Sequence, residues 1–258
     1  MSEPEKKAVE LIEKYCIDSP AQLNLEEIAN AESLIVEEID TNAYLGKINF
    51  NEHYGLVSIS RSIAEPGAKR FTLAHELGHF INERDKRFVK HSCSFIDIYG
   101  KKVHENNANI FAAELLMYRP WFNKLILNRP VNTDLIKETA EQLGVSLTAA
   151  AFRYAEIGQH PVAVIMSRDG KVDWSYINKY FPYKWIPKGY IVRKESSAYD
   201  FFTALKKSQP ITDIQTCDDL VPAHTWFSED HKCPKDVYLK EQNVVMRNYK
   251  SVLTLLWQ

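Results

Sequence analysis

Arg70-Phe71-Thr72-Leu73-Ala74-His75-Glu76-Leu77-Gly78-His79-Phe80 is the stretch on which the reading of this 258-residue chain turns. From Ala68 to about Asn82, the apolar residues Phe71, Leu73, Ala74, Leu77, Phe80 and Ile81 wrap a large part of a helix, as in one buried in a domain core. Within it, His75-Glu76-Leu77-Gly78-His79 is HExxH. Histidines at i and i+4 lie one above the other on a helix. Both can therefore offer a ring nitrogen to one metal ion at ~2.0–2.1 Å, with a carboxylate beside them for acid/base work.

A catalytic zinc needs three protein ligands and one open position. The metzincin spacing fails, because the third histidine would fall on Asp85 and the glycine on Asn82. Glu83 continues the same helix face, and three ligands stacked on one straight helix do not converge tetrahedrally. The next helical pattern, Val103 to Met117, carries Glu105, Ala108, Ala112 and Leu115 on one stripe. Its small alanines allow close approach of two helices, and Glu114 points half a turn away from Glu105. Glu105 is the expected third ligand, with His104 as fallback, and Asn109, one turn on, is expected to position a ligand. Cys93 lies between the two blocks and is either a buried structural thiol or an inhibitory ligand at the open zinc position. For the group that stabilises the oxyanion, His91, Tyr99, His104 and Tyr118 stand unranked.

These two blocks, the second reading Glu105-Asn106-Asn107-Ala108-Asn109-Ile110-Phe111-Ala112-Ala113-Glu114-Leu115-Leu116-Met117, resemble the ImmA/IrrE family of metallo-endopeptidases. The family's ExxANxFAAELLMP pattern is matched except that Tyr118 stands where the proline is usual. The resemblance covers roughly residues 20 to 160. It implies His75, His79 and Glu105 as ligands of one catalytic Zn2+, and Glu76 as the catalytic acid/base. It also implies a helix-turn-helix transcriptional repressor as the protein substrate, cut after DNA damage or phage challenge.

Around this core, Ser2 and Glu5 form a capping box for a helix to about Ile17, and a second helix covers Leu25 to Ala31. Ser33 to Ile39, Ala43 to Phe50 and Gly55 to Ser60 read as strands, the last two joined at hairpin distance. An extended substrate is expected to pair with Gly55 to Ser60. After the break at Asn128 to Thr133, Asp134 to Leu143 and Leu147 to Ile157 read as helix, turn, helix, with Arg153 the base-contacting cation of the second helix. Packing of that segment against the peptidase is favoured over contact with a duplex.

Net charge is −2 overall, yet residues 1 to 159 carry 18 Lys/Arg against 23 Asp/Glu and the remainder 14 against 11. The balance argues against a nucleic-acid coat and for two parts with different partners. Beyond Pro161, Val162 to Ser167 and Val172 to Trp174 form strands around an Asp169-Gly170 turn. Trp174 to Lys194 holds seven aromatics, five cations and no acid. Lys179, Tyr180, Tyr183, Lys184, Trp185, Lys188 and Arg193 are candidates for binding single-stranded DNA as an activator, against the alternative that the aromatics are core and the lysines a solvated rim. Cys217, His224, His231 and Cys233 are ligand types at a spacing that matches no zinc pattern.

The expected fold is α+β: a gluzincin-like zinc-peptidase core with a small sheet (1–128), a helix-turn-helix-like link (129–159) and an α+β sensor-like domain (160–258). No run is apolar enough for a bilayer, the N-terminus is charged, and four scattered cysteines suit reduced thiols, so a cytoplasmic location with no membrane partner is expected. The other functional class is a non-proteolytic DNA-binding regulator with a structural zinc.

Overall fold

A computed structural model describes residues 1–84, 89–93, 103–207, 219–234 and 236–258, less the side chains at 89, 90, 92, 93, 103–105 and 248. The fold is α+β with two sheets, and the chain divides into two compact units, Met1–Leu125 with Thr139–Ala149 and Ile126–Glu138 with Ala150–Gln258.

In the first unit, α1 (Glu3–Lys14) opens with the Ser2/Glu5 capping box and stops three residues short of the expected end, where Cys16 takes a left-handed φ of 51°. Helix α2 (Leu25–Ala31) follows, and then β1 (Leu34–Ile39), β2 (Gly46–Phe50) and β3 (Gly55–Ser60). A fourth strand, β4 (Val89–Cys93), has no sequence-level signal, being short and polar at Lys90, His91 and Ser92. The sheet order is β1-β3-β2-β4, with β1 parallel to β3 and the other pairs antiparallel. Strand β3 is therefore hydrogen-bonded on both sides and has no edge left for a substrate. The expectation of strand addition there is corrected, since strand addition needs unpaired backbone groups.

Helix α3 (Pro66–Glu83) starts where the Glu65 carboxylate accepts the backbone N–H groups of Gly67 and Ala68 at 3.1 and 2.6 Å, occupying donors that lack helical partners. Its apolar side lies against the sheet, with the Phe80 ring edge-on to Phe50 at 5.3 Å. Its other side meets α4 (Val103–Leu116). A Cβ on Gly78 would stand 3.0 Å from Phe111 and 3.1 Å from the Ala108 backbone, so the small pair sets the distance between the helices. Arg70, on the first half of α3, donates to the carbonyls of Leu143 and Leu23 and ties the end of α6 (Thr133–Leu143) to this unit. Helix α5 (Arg119–Ile126) begins where Glu114 Oε1 accepts the Arg119 N–H at 3.2 Å.

The second unit is built on a five-stranded antiparallel sheet. Its members are β5 (Val162–Arg168), β6 (Lys171–Ile177), β7 (Asp219–Pro222), β8 (Tyr238–Met246) and β9 (Ser251–Trp257), in the order β6-β5-β9-β8-β7. Asp169 and Gly170, both at positive φ, make the tight β5–β6 turn. Helices α8 (Ser197–Lys206) and α9 (His224–Phe227) contribute Phe201, Phe202, Trp226 and Phe227 to the core with Ala163, Ile165 and Leu256 of the sheet. Glu241 is fully buried there and accepts from Trp226 Nε1 at 2.6 Å, Ser196 Oγ at 2.8 Å, Asn243 Nδ2 at 2.7 Å and the Ser197 N–H at 3.2 Å. Burial pushes its carboxyl above the ordinary range, and these donors hold it back in part.

Of the helix-turn-helix-like segment, Thr139–Ala149 belongs to the first unit, with the Val145 and Ser146 backbone against Gly67 of α3, whereas the second half of α7 (Leu147–Ile157) packs on this sheet. Phe152 lies 4.2 Å from Tyr176, and Asn178 Nδ2 donates to the Ala155 carbonyl. Tyr154, wholly buried, has its phenol pushed up to about 12 by desolvation. Arg153 is 2% exposed and donates to Glu156 at 2.7 Å, so the one cation assigned to base contact on this helix faces the interior.

Glu32, at the end of α2, accepts from Lys14, from Tyr15 Oη at 2.8 Å and from Arg84 at 3.2 Å, joining the ends of α1, α2 and α3. Burial raises its carboxyl, but the hydrogen bonds from Lys14 and Tyr15 and the charges of Lys14 and Arg84 outweigh that and leave it below the usual range. A depressed carboxylate contributes stability above its unfolded-state pKa and loses it as pH falls through the folded-state one. Glu32→Gln is expected to lower the urea midpoint at pH 7 and to converge with the wild type as pH falls through the lowered folded-state pKa. An equal offset at pH 3 and pH 7 in urea titrations would contradict this.

Candidate metal centre

Successive turns of α3 carry His75 and His79, which are 0% and 1% exposed, with Glu76 beside them at 0%. The His75 Nδ1 lies 2.9 Å from Asn109 Oδ1 on α4, and the His79 Nδ1 lies 3.3 Å from Glu83 Oε1. Each acceptor assigns the ring proton to Nδ1 and leaves Nε2 with its lone pair. These two Nε2 atoms face each other at 3.1 Å. Two lone pairs at that distance repel unless an electrophile lies between them. The separation is close to the ~3.3 Å edge of a tetrahedron with ~2.05 Å metal–nitrogen bonds. The pair therefore fits a metal ion.

On the far side of His79 lies a second grouping. Ligand atoms of His79, Glu83 and His91 all lie within 4.8 Å of one another. Glu83 Oε1 is 3.4 Å from His91 Nε2, and the His91 ring stacks on the His79 ring at 4.0 Å with an interplanar angle of 13°. This grouping uses the Nδ1 side of His79, opposite to the nitrogen turned toward His75. The sequence reading weighed Glu83 only as a direct ligand and missed the His79–Glu83–His91 contact, which depends on β4.

Glu105 lies on α4, four residues before Asn109, but its side chain is outside the described residues, as are those of His104 and Cys93 and the whole of Tyr99 and Cys217. Tyr118 packs edge-on against Trp121 at 5.2 Å. Among the described residues, His224, His231 and Cys233 form no group of ligand atoms like that around His79.

Residues 33–154 match the family model described as the IrrE N-terminal-like domain, Peptidase_M78. A comparison with curated proteins finds no match. Among solved structures, a Mycobacterium tuberculosis transcriptional regulator is similar over 100% of this chain and 77% of its own, with a TM-score of 0.55 at 11% identity, a likeness of fold. Among the described residues no helix is long and apolar enough to cross a membrane.

Beyond the matched residues, the aromatic, basic segment divides between core and surface. Tyr183 is 4% exposed, with its ring 5.2 Å from Phe227, so it is a core residue and no base can stack on it. Tyr180 and Trp185 are exposed at 69% and 58%. Lys179 lies over the Tyr180 ring at 4.9 Å, and Lys188 pairs with Asp173 at 3.3 Å. Arg193 lies over Tyr190 at 5.5 Å and donates to Ser228 at 2.8 Å. Lys184 is exposed as expected of a rim, yet its Nζ is held by the chain, donating to the carbonyls of Asn178, Lys179 and Phe181. Lys184→Glu is accordingly expected to destabilise the fold by about 1–2 kcal/mol through three orphaned carbonyls. Lys188→Glu, at an 80% exposed ammonium, should stay within about 0.5 kcal/mol. Equal urea midpoints for the two variants would contradict the difference.

Proposed function

We propose that this chain is a zinc-dependent endopeptidase that cleaves a helix-turn-helix transcriptional repressor, relieving repression after DNA damage or phage challenge. The observation that carries the peptidase reading is the facing pair of Nε2 atoms on His75 and His79, each ring held from behind by an acceptor. The family-model match over residues 33–154 and the HExxH pattern support the same reading. The likeness of fold to a transcriptional regulator and the family resemblance favour a substrate in gene regulation.

His75, His79 and Glu105 would hold the ion, Glu105 on the helix that Gly78 and Ala108 bring against α3. Bound zinc supplies a water of pKa near ~7 and polarises a scissile carbonyl. Glu76, buried beside the two histidines, takes the proton of the attacking water on its carboxylate and returns it to the leaving amine. Asn109 fixes the His75 ring through Nδ1. An extended substrate would pair with β4, which among the described residues stands at the end of the sheet order and carries His91 beside the His79 ring.

The protein is expected to bind about one zinc, and Glu76→Gln should keep it while slowing cleavage of its repressor substrate by about 10²–10⁴-fold. Glu105→Ala should lose most of the metal, and Glu114→Ala, which removes the acceptor at the start of α5, should keep it. Metal analysis with a gel-based cleavage assay reads both, and normal cleavage by Glu76→Gln would overturn the mechanism.

Activation by single-stranded DNA is the accompanying proposal, supported by exposed Tyr180 and Trp185 with Lys179 and Lys188 near them in sequence. Fluorescence anisotropy at low salt should show binding that weakens steeply with added salt. Trp185→Ala should cost about 1–3 kcal/mol of it. If the wild type does not bind, this trigger is excluded.

A further inference from the structure

The imidazole of His79 is gripped from two directions. Its Nδ1 faces Glu83 Oε1, one turn farther along α3, at 3.3 Å. One face of its ring is covered by the parallel ring of His91, which comes from β4, with centroids 4.0 Å apart. The same Glu83 oxygen lies 3.4 Å from His91 Nε2, so it stands close to both rings while accepting from His79. Glu83 is 7% exposed and the His91 side chain 19%. A carboxylate in so dry a place is costly unless a donor meets it, and the His79 Nδ1–H is such a donor.

We propose that Glu83 and His91 are positioning residues for the metal centre. Glu83 fixes the tautomer of His79 and the direction of its Nε2 and makes that nitrogen more basic, while the stacked His91 prevents the ring from rotating about its Cβ–Cγ bond. The inference rests on the zinc reading above and deepens it. It also makes β4 part of the ligand cage: the strand next to which the substrate is placed bears on the ring that holds the ion. Because β4 reaches α3 through His91, the metal site and the sheet edge are one mechanical unit.

The test is zinc affinity, measured by competition with a chelator, together with the urea midpoint of the metal-free protein. Glu83→Ala and His91→Ala are each expected to weaken zinc binding by about 10–100-fold. Glu83→Gln, which keeps an oxygen acceptor for His79 Nδ1, should restore affinity to within a few-fold of wild type. His91→Phe, which keeps a ring stacked on His79, should bind zinc more tightly than His91→Ala. A merely structural role would lower the metal-free midpoint of the alanine variants and leave zinc affinity unchanged, and that result overturns the proposal. So does a Glu83→Gln variant as weak as Glu83→Ala. His75→Ala separates the two readings. If it abolishes zinc binding while Glu83→Ala binds like wild type, only the positioning inference falls; if the wild type binds no zinc, both fall.

Discussion

Two imidazole nitrogens that turn their lone pairs toward each other inside a dry protein are an unstable arrangement, and most of the first unit is arranged around His75 and His79 held in this way. Left alone, each ring would rotate or take a proton on Nε2. Asn109 and Glu83 oppose this by accepting from Nδ1, and the α3–α4 contact at Gly78 and Ala108 brings Asn109 within reach. The close approach of the helices is thus a requirement of the site as well as of the core. Any side chain larger than hydrogen at position 78 would move the acceptor away from the ring it orients.

The surrounding elements hold the two ends of α3. Glu65 satisfies its first N–H groups, Arg70 reaches the carbonyls of Leu23 and Leu143, and Glu32 gathers Lys14, Tyr15 and Arg84 near its last turn. These contacts are polar and partly buried, and each satisfies groups that would otherwise be stranded at a chain end or helix terminus. The helix is positioned along its length before any ion is considered.

The second unit follows a different logic. Its sheet is covered with aromatic side chains, and the carboxylate at its centre, Glu241, is satisfied by neutral donors alone among its described contacts. Phe181 and Tyr183 belong to that core, while Tyr180 and Trp185, neighbours in sequence, face outward. A run of aromatics and lysines therefore does two jobs at once. Lys184 turns its ammonium back on the carbonyls of the turn that precedes it.

Much of the site was legible in the sequence. The HExxH spacing places two imidazoles on one helix face by the geometry of 3.6 residues per turn, and a small-residue stripe on the next helical pattern signals a close partner helix. The α2 boundaries, the β2–β3 hairpin and the β5–β6 turn likewise follow from local chemistry: an Asn cap, a polar connection, an Asp-Gly pair at positive φ. What local chemistry cannot carry is which strands become neighbours. That β3 is internal and that β4 ends the sheet order among the described residues, that His91 stacks on His79, that Arg153 and Tyr183 face inward and that the second half of α7 meets the second sheet all depend on pairings between residues distant in sequence. Periodicity specifies a face; only the packed whole decides what that face meets.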